Sequence, residues 1–470
     1  MLLFELLKLS IVFGLPLYWL LSNNHDRVIF WICATLGVDL LIVNFVGDIR
    51  PMEAVGLLYL PSALFFLDRV IAVPMGKFLI VSVVLLGGLG LLFGYLLPWP
   101  DTTGVRPWNQ QSQGRSLIYM ANTLATVSIV IYIGRQVARG FDVWRIMRYL
   151  VIGSSVVSAG VIVQAIIGFD YYGYVEYGGG PVPDLGRLRG LSAEPRTAGQ
   201  YIALGLLVML LTRAPVKYPR LVLALHATAL LLTVSTSAML ILFVGLIFSV
   251  LKSTKAMKTV VSAAVVSIGS GLIIRSLMPH WFTFWEDMVR KRLLDPDPYA
   301  RATSLTEEVA MRLEVFDGSA FLFFVEHPAY LLFGTGPGLI SLPASSHIPR
   351  GTAALTYGDR IDSVPHMGLM LEVSNAGLLG LGLWCGLIVT AYIAIKRCAR
   401  GSSSQEDADK WEDVANVLLV FSALYLIQVK PVIFIVLGVS LGAALMIRFR
   451  HYPVLLSPVK QGVLAHAGSN

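Results

Sequence analysis

The chain of 470 residues is 56% hydrophobic and only 14% charged, and its formal net charge is +7. Soluble domains carry about 25% charged residues, so this composition excludes an ordinary soluble protein and indicates a polytopic membrane protein. The positive charge lies in short loops between apolar runs, as expected for cytoplasmic loops under the positive-inside rule. The excess of basic residues therefore does not predict a nucleic-acid partner.

Apolar runs follow one another along most of the chain, and many approach the roughly 20 residues that a helix needs to cross a bilayer. They lie at 6–22, 28–47, 53–73, 77–97, 116–134, 149–168, 200–212, 219–234, 237–251, 259–278, 377–395, 413–429 and 431–447. We therefore expect an all-α polytopic bundle of about 11–13 transmembrane helices, forming a single membrane domain over residues 1–470.

Two long polar segments, 169–199 and 279–365, fall outside the membrane if the basic loops are cytoplasmic. The longer one predicts a helix over 305–326, because Ser304 has the spacing of a capping box and Pro328 follows the apolar pattern. Loops of this length are usually functional. We interpret 279–365 as the outward catalytic loop of a membrane-embedded glycan transferase.

Arginines stand out in both outward segments. Arg187, Arg189 and Arg196 lie within ten residues of one another, immediately before an apolar run. The guanidinium fork suits phosphate oxygens, although nonspecific contact with lipid headgroups would explain these arginines equally well. Arg312 lies on the predicted helix, four residues after Glu308, which favours either an exposed ion pair or a group that leans toward the active cleft.

His366 lies where the long loop returns to apolar sequence. With Ser363 as the N-cap, it would occupy the first turn of a helix that continues through Glu372. The positive end of the helix dipole disfavours imidazolium, so the ring would stay neutral and able to accept a proton. A lone histidine at a helix start is otherwise more often structural.

Other polar features have simpler interpretations. The glycines of 334–338 lack the ending of a P-loop and predict a turn that allows close packing. The hydroxyls of 235–237 favour helix capping, and the prolines beside Asp297 favour a solvated turn over a metal site. His226, inside an apolar run, is interpreted as a neutral hydrogen-bonded core residue, and Asp39 is left open between structure and function.

Four motifs in order resemble the bacterial O-antigen ligase and polymerase family. His366-Met367, nine residues, Gly377, two residues and Gly380 resemble its His-(Asn/Ser/Gln)-x9-Gly-xx-(Gly/Thr/Tyr) pattern. Arg189-Gly190-Leu191-Ser192-Ala193-Glu194-Pro195 resembles the Arg-Gly-Leu-x-x-Glu-Pro signature of its Wzy-type polysaccharide polymerases. The segment 231–237 resembles its serine-rich hairpin, and Arg312 followed by 332–338 resembles elements of its large periplasmic loop. Met367 and Ala238 depart from the family pattern, which has a polar residue and often an arginine there.

The resemblance implies a GT-C-like transferase in the bacterial inner membrane, with its active site facing the periplasm. His366 would be the general base, and Arg189 and Arg312 would hold the donor diphosphate. Additional diphosphate-binding and supporting roles fall to Arg187, Arg196, Glu194, Ser237 and Gly336. Neither a metal nor another cofactor is implied for catalysis.

The implied donor is a glycan on undecaprenyl diphosphate, held among membrane lipids. The Glu194-Pro195 form favours a polymerase that extends a lipid-linked repeat unit, with a chain-length regulator as a further partner. The alternatives are a ligase that transfers the glycan to lipid A core and, from another class, a secondary transporter or flippase. A transporter would place its polar coupling residues near the middle of the membrane.

Overall fold

The computed structural model describes most of the chain, with gaps. The described residues are 2–44, 48–99, 108, 111–168, 170, 188–213, 216–252, 269, 272, 276, 283, 304–313, 315–347, 365–427 and 431–449. The predicted apolar run 259–278 lies almost wholly outside these ranges, and so do Arg187, Asp295, Asp297 and Ser363.

Helices dominate the described chain, and a single hairpin of two-residue strands, β1 (Val43–Asn44) and β2 (Asp48–Ile49), is the exception. The α-helices are α1 (Leu2–Leu9), α2 (Leu15–Leu21), α3 (His25–Ala34), α4 (Pro51–Phe65), α5 (Leu67–Ile71), α6 (Pro74–Leu91), α7 (Ser112–Ala138), α8 (Val143–Ile167), α9 (Pro195–Leu211), α10 (Pro219–Thr233), α11 (Thr236–Lys252), α12 (Leu305–Arg312), α13 (Val315–Glu326), α14 (Tyr330–Phe333), α15 (Gly368–Arg400), α16 (Gln405–Ile427) and α17 (Val432–Arg448). Short π-helical turns at Ser10–Gly14 and Leu92–Leu96 and 3₁₀ helices at Asp39–Leu41 and Pro343–His347 complete them.

Four helical stretches of the described chain are long and apolar enough to cross a membrane. They are Pro74–Leu96, Ser112–Ala138, Val143–Ile167 and Gly368–Arg400. Several apolar helices of 10–17 residues, such as α9 and α17, accompany them. The all-helical membrane class is therefore supported, whereas the finer number of 11–13 crossings stays a prediction.

The prediction of one helical segment over 28–47 is wrong. The helix α3 ends at Ala34, and a 3₁₀ turn and the β hairpin follow. The Leu40 amide donates to the Leu191 carbonyl at 3.1 Å, and the Asp39 carboxylate accepts from the Ala193 amide at 2.9 Å. The backbone of this stretch thus bonds a distant loop in place of continuing its own helix.

The core crossing joins α7 and α17, and small residues make it close. A Cβ atom added at Gly438 would lie 2.7 Å from the Cβ of Ile133, and one at Gly134 would lie 3.1 Å from the Gly438 carbonyl oxygen. Small residues allow this approach, and close packing is the main attraction between helices in lipid, where apolar burial gives little.

Two helices run between the same two ends of the bundle. The start of α9 lies beside His366, just before α15, whereas beyond its other end Arg213 pairs with Asp409. The last turn of α15 contributes Arg397 to a surface shared with Lys410. Arg196 and His366 therefore lie at one end of the bundle, and the basic residues Arg213, Arg397 and Lys410 lie at the other.

The predicted helix over 305–326 is broken in two, α12 and α13. Its start is confirmed, since the Ser304 side chain accepts from the Glu307 amide at 3.1 Å, and its last residue, Glu326, precedes Pro328. The break follows Arg312, where Leu313 adopts an extended backbone. The apolar periodicity continues across the break, so the pattern alone did not reveal it.

Replacing Gly438 with alanine tests the glycine crossing. The added methyl group meets the branched side chain of Ile133, so we expect Gly438→Ala to destabilise the protein by about 1–3 kcal/mol. The measurement is the thermal unfolding midpoint in detergent. Gly382→Ala is the matched control, because no atom lies within 4 Å of a Cβ there; an equal effect of both changes would contradict the close-packing explanation.

Candidate functional site

His366 lies before α15 and not within it, so the prediction of a first-turn position capped by Ser363 is wrong. The N-cap is Met367, whose amide donates to the Asp317 carboxylate of α13 at 3.0 Å. Asp317 is buried, with 1% of its surface exposed. A carboxylate from another helix thus caps α15, and an N-cap supplied by tertiary structure leaves no local sequence signal.

The His366 ring is half-buried between two helices. The edge of the Phe316 ring packs against it with centroids 5.5 Å apart. On its other side, Nη2 of Arg196 lies 3.0 Å from Nδ1 of the imidazole. The start of α9 and the start of α15 therefore present a guanidinium and an imidazole to each other, across 170 residues of sequence.

The Arg196 contact defines which imidazole nitrogen carries hydrogen. A guanidinium has only donors, so Nδ1 of His366 accepts, and a neutral ring then carries its hydrogen on Nε2. Glu194, whose side chain is 57% exposed, lies 3.4 Å from the same guanidinium. The Glu194 carboxylate therefore forms an ion pair with Arg196 while it stays in contact with solvent.

Arg189 is held by an acidic partner. Its guanidinium donates Nε and Nη2 to the Asp170 carboxylate, and Nη1 donates to the Ala193 carbonyl at 3.0 Å. Gln164 accepts from the amides of Arg189 and Gly190 at 3.0 and 2.7 Å. Arg189 thus stiffens the loop that leads to Arg196, and its predicted contact with a diphosphate stays a prediction.

Asp39 and His226 both have structural partners. The Asp39 carboxylate accepts a hydrogen bond from the Ala193 amide and so helps to fix the loop that leads to Arg196. His226 is fully buried, with Nε2 at 2.6 Å from the Ser154 hydroxyl and Nδ1 at 2.7 Å from the Val222 carbonyl. The interpretation of His226 as a hydrogen-bonded core residue is confirmed.

The serine hairpin meets α9 one turn beyond Arg196. The Gln200 side-chain amide donates to the Ser237 hydroxyl at 3.0 Å, and Ser235 lies 3.2 Å from Ser237. The Ser235 hydroxyl also accepts from the Ala238 amide at 3.3 Å, which agrees with the predicted capping. Gln200 is buried and its carbonyl oxygen has no hydrogen-bond partner among the described residues. The sequence analysis missed Gln200, although an amide at the start of an apolar run was a usable signal.

The glycine turn of 334–338 packs onto a kink in α15, as predicted for a close-packed turn. Ala376 and Gly377 have non-helical backbone angles. The Thr335 amide donates to the Ser374 carbonyl at 2.7 Å, and a Cβ at Gly334 would lie 2.7 Å from the Ala376 amide nitrogen. Gly336, with φ of +95°, is in the left-handed region that favours glycine. Gly336 therefore allows the backbone of the turn to adopt its conformation, and it contributes no side chain to the candidate site.

The structure describes Arg312 only as the last residue of α12, without its side chain. Its proposed approach to the cleft and its ion pair with Glu308 both stay predictions.

A cavity of about 280 Å³ lies among α4, α6, α7 and the first half of α15. Arg50, Glu53 and Glu372 line its polar part, whereas leucine, valine and tryptophan side chains line the rest. Glu372 accepts a hydrogen bond from the Tyr425 hydroxyl at 2.6 Å. The sequence analysis assigned no role to Glu372, which lies six residues after His366 on an apolar helix.

No protein-family model matches this chain, and no similar sequence was found among curated proteins. The argument for function therefore rests on the residues and their geometry.

Replacement of Asp317 tests the cap of α15. In Asp317→Ala the Met367 amide loses a buried acceptor, and we expect a loss of about 1–3 kcal/mol in stability. Asp317→Asn keeps a carbonyl oxygen in place and should retain more of the stability than the alanine variant. Thermal unfolding in detergent measures both, and equal midpoints for the two variants would contradict the capping role.

Proposed function

We propose that this protein is a glycan transferase of the bacterial inner membrane, with its site at the periplasmic end of a GT-C-like bundle. Its reaction would be that of a polysaccharide polymerase. The observation that carries the proposal is the 3.0 Å contact between Arg196 and His366. The contact joins a guanidinium, which is always charged and can bind an anion, to an imidazole that can accept a proton. Both groups lie at one end of an apolar helical bundle.

The guanidinium accounts for the leaving group. Transfer of a glycan from a lipid diphosphate develops negative charge on the departing phosphate, and a fixed cation stabilises this charge without a metal ion. Arg196 is 26% exposed, so a ligand can reach it. The loop that precedes it is tied to the rest of the fold where Arg189 pairs with Asp170 and where Asp39 accepts from the Ala193 amide, which limits the motion of its backbone.

The imidazole accounts for the proton. Nδ1 of His366 accepts from Arg196, so its lone pair is occupied until the guanidinium turns to another acceptor. A donor diphosphate is such an acceptor. When Arg196 donates to the phosphate oxygens, Nδ1 is released and can take a proton from the acceptor hydroxyl. Binding of the donor would thus switch on the base.

The bonds then balance as follows. The acceptor oxygen attacks the anomeric carbon of the donor glycan and forms the new glycosidic bond. The bond from that carbon to the diphosphate breaks, and undecaprenyl diphosphate leaves with the electron pair. The hydroxyl proton goes to Nδ1 of His366.

The cavity beside α15 supports a lipid-linked substrate. Apolar side chains such as Leu79, Leu86 and Leu387 line most of the cavity. Its lining also includes Glu372, which lies in α15 six residues after His366. A polyprenyl chain is apolar throughout and would lie against these side chains, and its diphosphate would lie outside the cavity, at Arg196. Burial of its isoprene units would contribute to binding in the hydrophobic cavity.

Variants of Arg196 and His366 test the two roles in one assay. With purified protein in lipid nanodiscs and an undecaprenyl-diphosphate-linked repeat unit, we expect Arg196→Gln to reduce turnover at least about 100-fold. His366→Ala should reduce it about 10²–10⁴-fold. Arg312→Ala is expected to abolish turnover if that side chain holds the diphosphate.

Arg220→Gln is the control for the charge change, because Arg220 is an exposed residue at the start of α10. Turnover near the wild-type level in His366→Ala would remove the imidazole from its role. The same result in Arg196→Gln would remove the guanidinium.

The choice of acceptor separates the polymerase from the ligase. Offered both a lipid-linked repeat unit and lipid A core, the protein is expected to extend only the repeat unit. Product analysis by gel or mass spectrometry reads the result. Transfer to lipid A core alone would identify a ligase and would leave the roles of Arg196 and His366 unchanged.

One observation favours transport as the second candidate. Glu372 is an ionisable group beside a cavity within the helical bundle, a place where transporters put coupling residues. The ionisable groups singled out from the sequence, Asp39 and His226, are instead bonded within the fold. Glu372→Gln abolishing activity while His366→Ala leaves it intact would favour a transporter.

A further inference from the structure

A second cluster of titratable side chains lies in the outward loop, and the proposed transfer reaction does not use it. Glu326 ends α13, His327 follows it, and His347 ends the 3₁₀ helix Pro343–His347. One ligand atom from each of the three side chains lies within 4.8 Å of the others. Two imidazoles and one carboxylate form a ligand set that zinc accepts.

The His347 ring faces Glu326 with its Nε2 atom. Nδ1 lies 3.2 Å from the Pro343 carbonyl and 3.0 Å from the Ser346 hydroxyl, and it carries the ring hydrogen when it donates to the carbonyl. In a neutral ring Nε2 is then an acceptor, and it lies 3.1 Å from the Glu326 carboxylate oxygen. In that tautomer two acceptors face each other at this distance, and a cation between them would stabilise the pair.

The third ligand favours a metal ion as that cation over a proton. A proton would satisfy Glu326 and His347 but would not involve His327, whose ring centroid lies 5.9 Å from that of His347. Zinc bonds are about 2.0–2.2 Å long, so tetrahedral ligand atoms lie about 3.4 Å apart. Glu326 and His347 already have nearly this spacing, at 3.1 Å, and His327 would have to approach them by about 1 Å. The backbone bond from His347 to Pro343 is the kind of supporting contact that orients metal-bound histidines.

We propose that Glu326, His327 and His347 bind a zinc ion. The Glu326 side chain is 64% exposed, so a water molecule can complete a four-coordinate site. The ion would clasp the end of α13 to a segment 21 residues away. Because this proposal rests on the three ligands alone, it does not depend on the transferase reaction.

The proposed zinc site of Glu326, His327 and His347, called the zinc clasp below, lies at the end of α13. Asp317, which caps α15, lies near the start of the same helix and holds the Met367 amide beside His366. Nine residues of helix separate Asp317 from Glu326, a distance of about 14 Å along the axis. The ion would therefore fix the helix that positions His366 without touching the reacting groups, and would support stability more than the chemical step.

Zinc binding is tested on the full chain, purified in detergent with an affinity tag that contains no histidine. After chelation, titration with Zn²⁺ against a fluorescent zinc indicator should give one tight site per chain and a higher unfolding midpoint. Single variants His327→Asn, His347→Asn and Glu326→Gln should each weaken binding by at least about 10–100-fold, the loss that follows even from removing supporting residues.

Ser346→Ala is the matched control, since Ser346 contacts the His347 ring but supplies no ligand to the cluster. X-ray absorption at the zinc edge, measured on the wild-type protein, should show two imidazoles and remains informative if a variant fails to fold. Absence of micromolar binding, or binding that the ligand variants leave unchanged, would overturn the proposal. In the first case the cluster would be an ion pair only.

Discussion

The hydrogen bond between Arg196 and His366 is the contact on which the candidate site depends. Each residue lies where a helix begins, and the two helices start at the same end of the bundle. The two groups meet because α9 and α15 both pack against α16. Because Nδ1 of His366 can accept only one strong donor, the contact also links the state of the base to the position of the guanidinium. In this arrangement an anion that draws Arg196 away also prepares the proton acceptor.

The apolar surroundings make unpaired polar groups costly, and the described chain follows that constraint closely. His226 and Asp39 bond to groups within the fold. The side-chain amide oxygen of Gln200, one helical turn beyond Arg196, is an exception because it has no hydrogen-bond partner among the described residues. Glu372 has its Tyr425 partner but lines a cavity. Gln200 lies near the proposed reaction, where a substrate can satisfy its side-chain oxygen, whereas other buried atoms without a hydrogen-bond partner, such as Nε1 of Trp31 and Nε of Arg135, lie elsewhere in the described chain.

Helix α13 connects the candidate site with the proposed zinc clasp. Its first residues supply Phe316, which packs on the His366 ring, and Asp317, which caps the next helix. Its last residue supplies Glu326. A short helix held at both ends is a stiff element, so it can keep the His366 imidazole in position.

The sequence by itself determined the features that depend on local chemistry. Composition and apolar runs predicted an all-helical membrane protein, the spacing after Ser304 predicted its cap, and the glycines of 334–338 predicted a close-packed turn. Each of these follows from backbone angles, hydrogen bonds or hydrophobicity within a few residues. The motifs also directed attention to the loop before α9 and the start of α15, two segments that the structure brings together through Arg196 and His366.

Only the tertiary structure decided which groups meet. The resemblance placed Arg189 ahead of Arg196 on the donor diphosphate, yet Arg189 pairs with Asp170, and Arg196 reaches His366 instead. The cap of α15 comes from Asp317 on another helix, so the expected first-turn position of His366 was wrong. Contacts between residues far apart in the chain depend on how whole helices pack. Local patterns do not encode that packing, because a helix presents the same sequence whichever neighbour it is packed against.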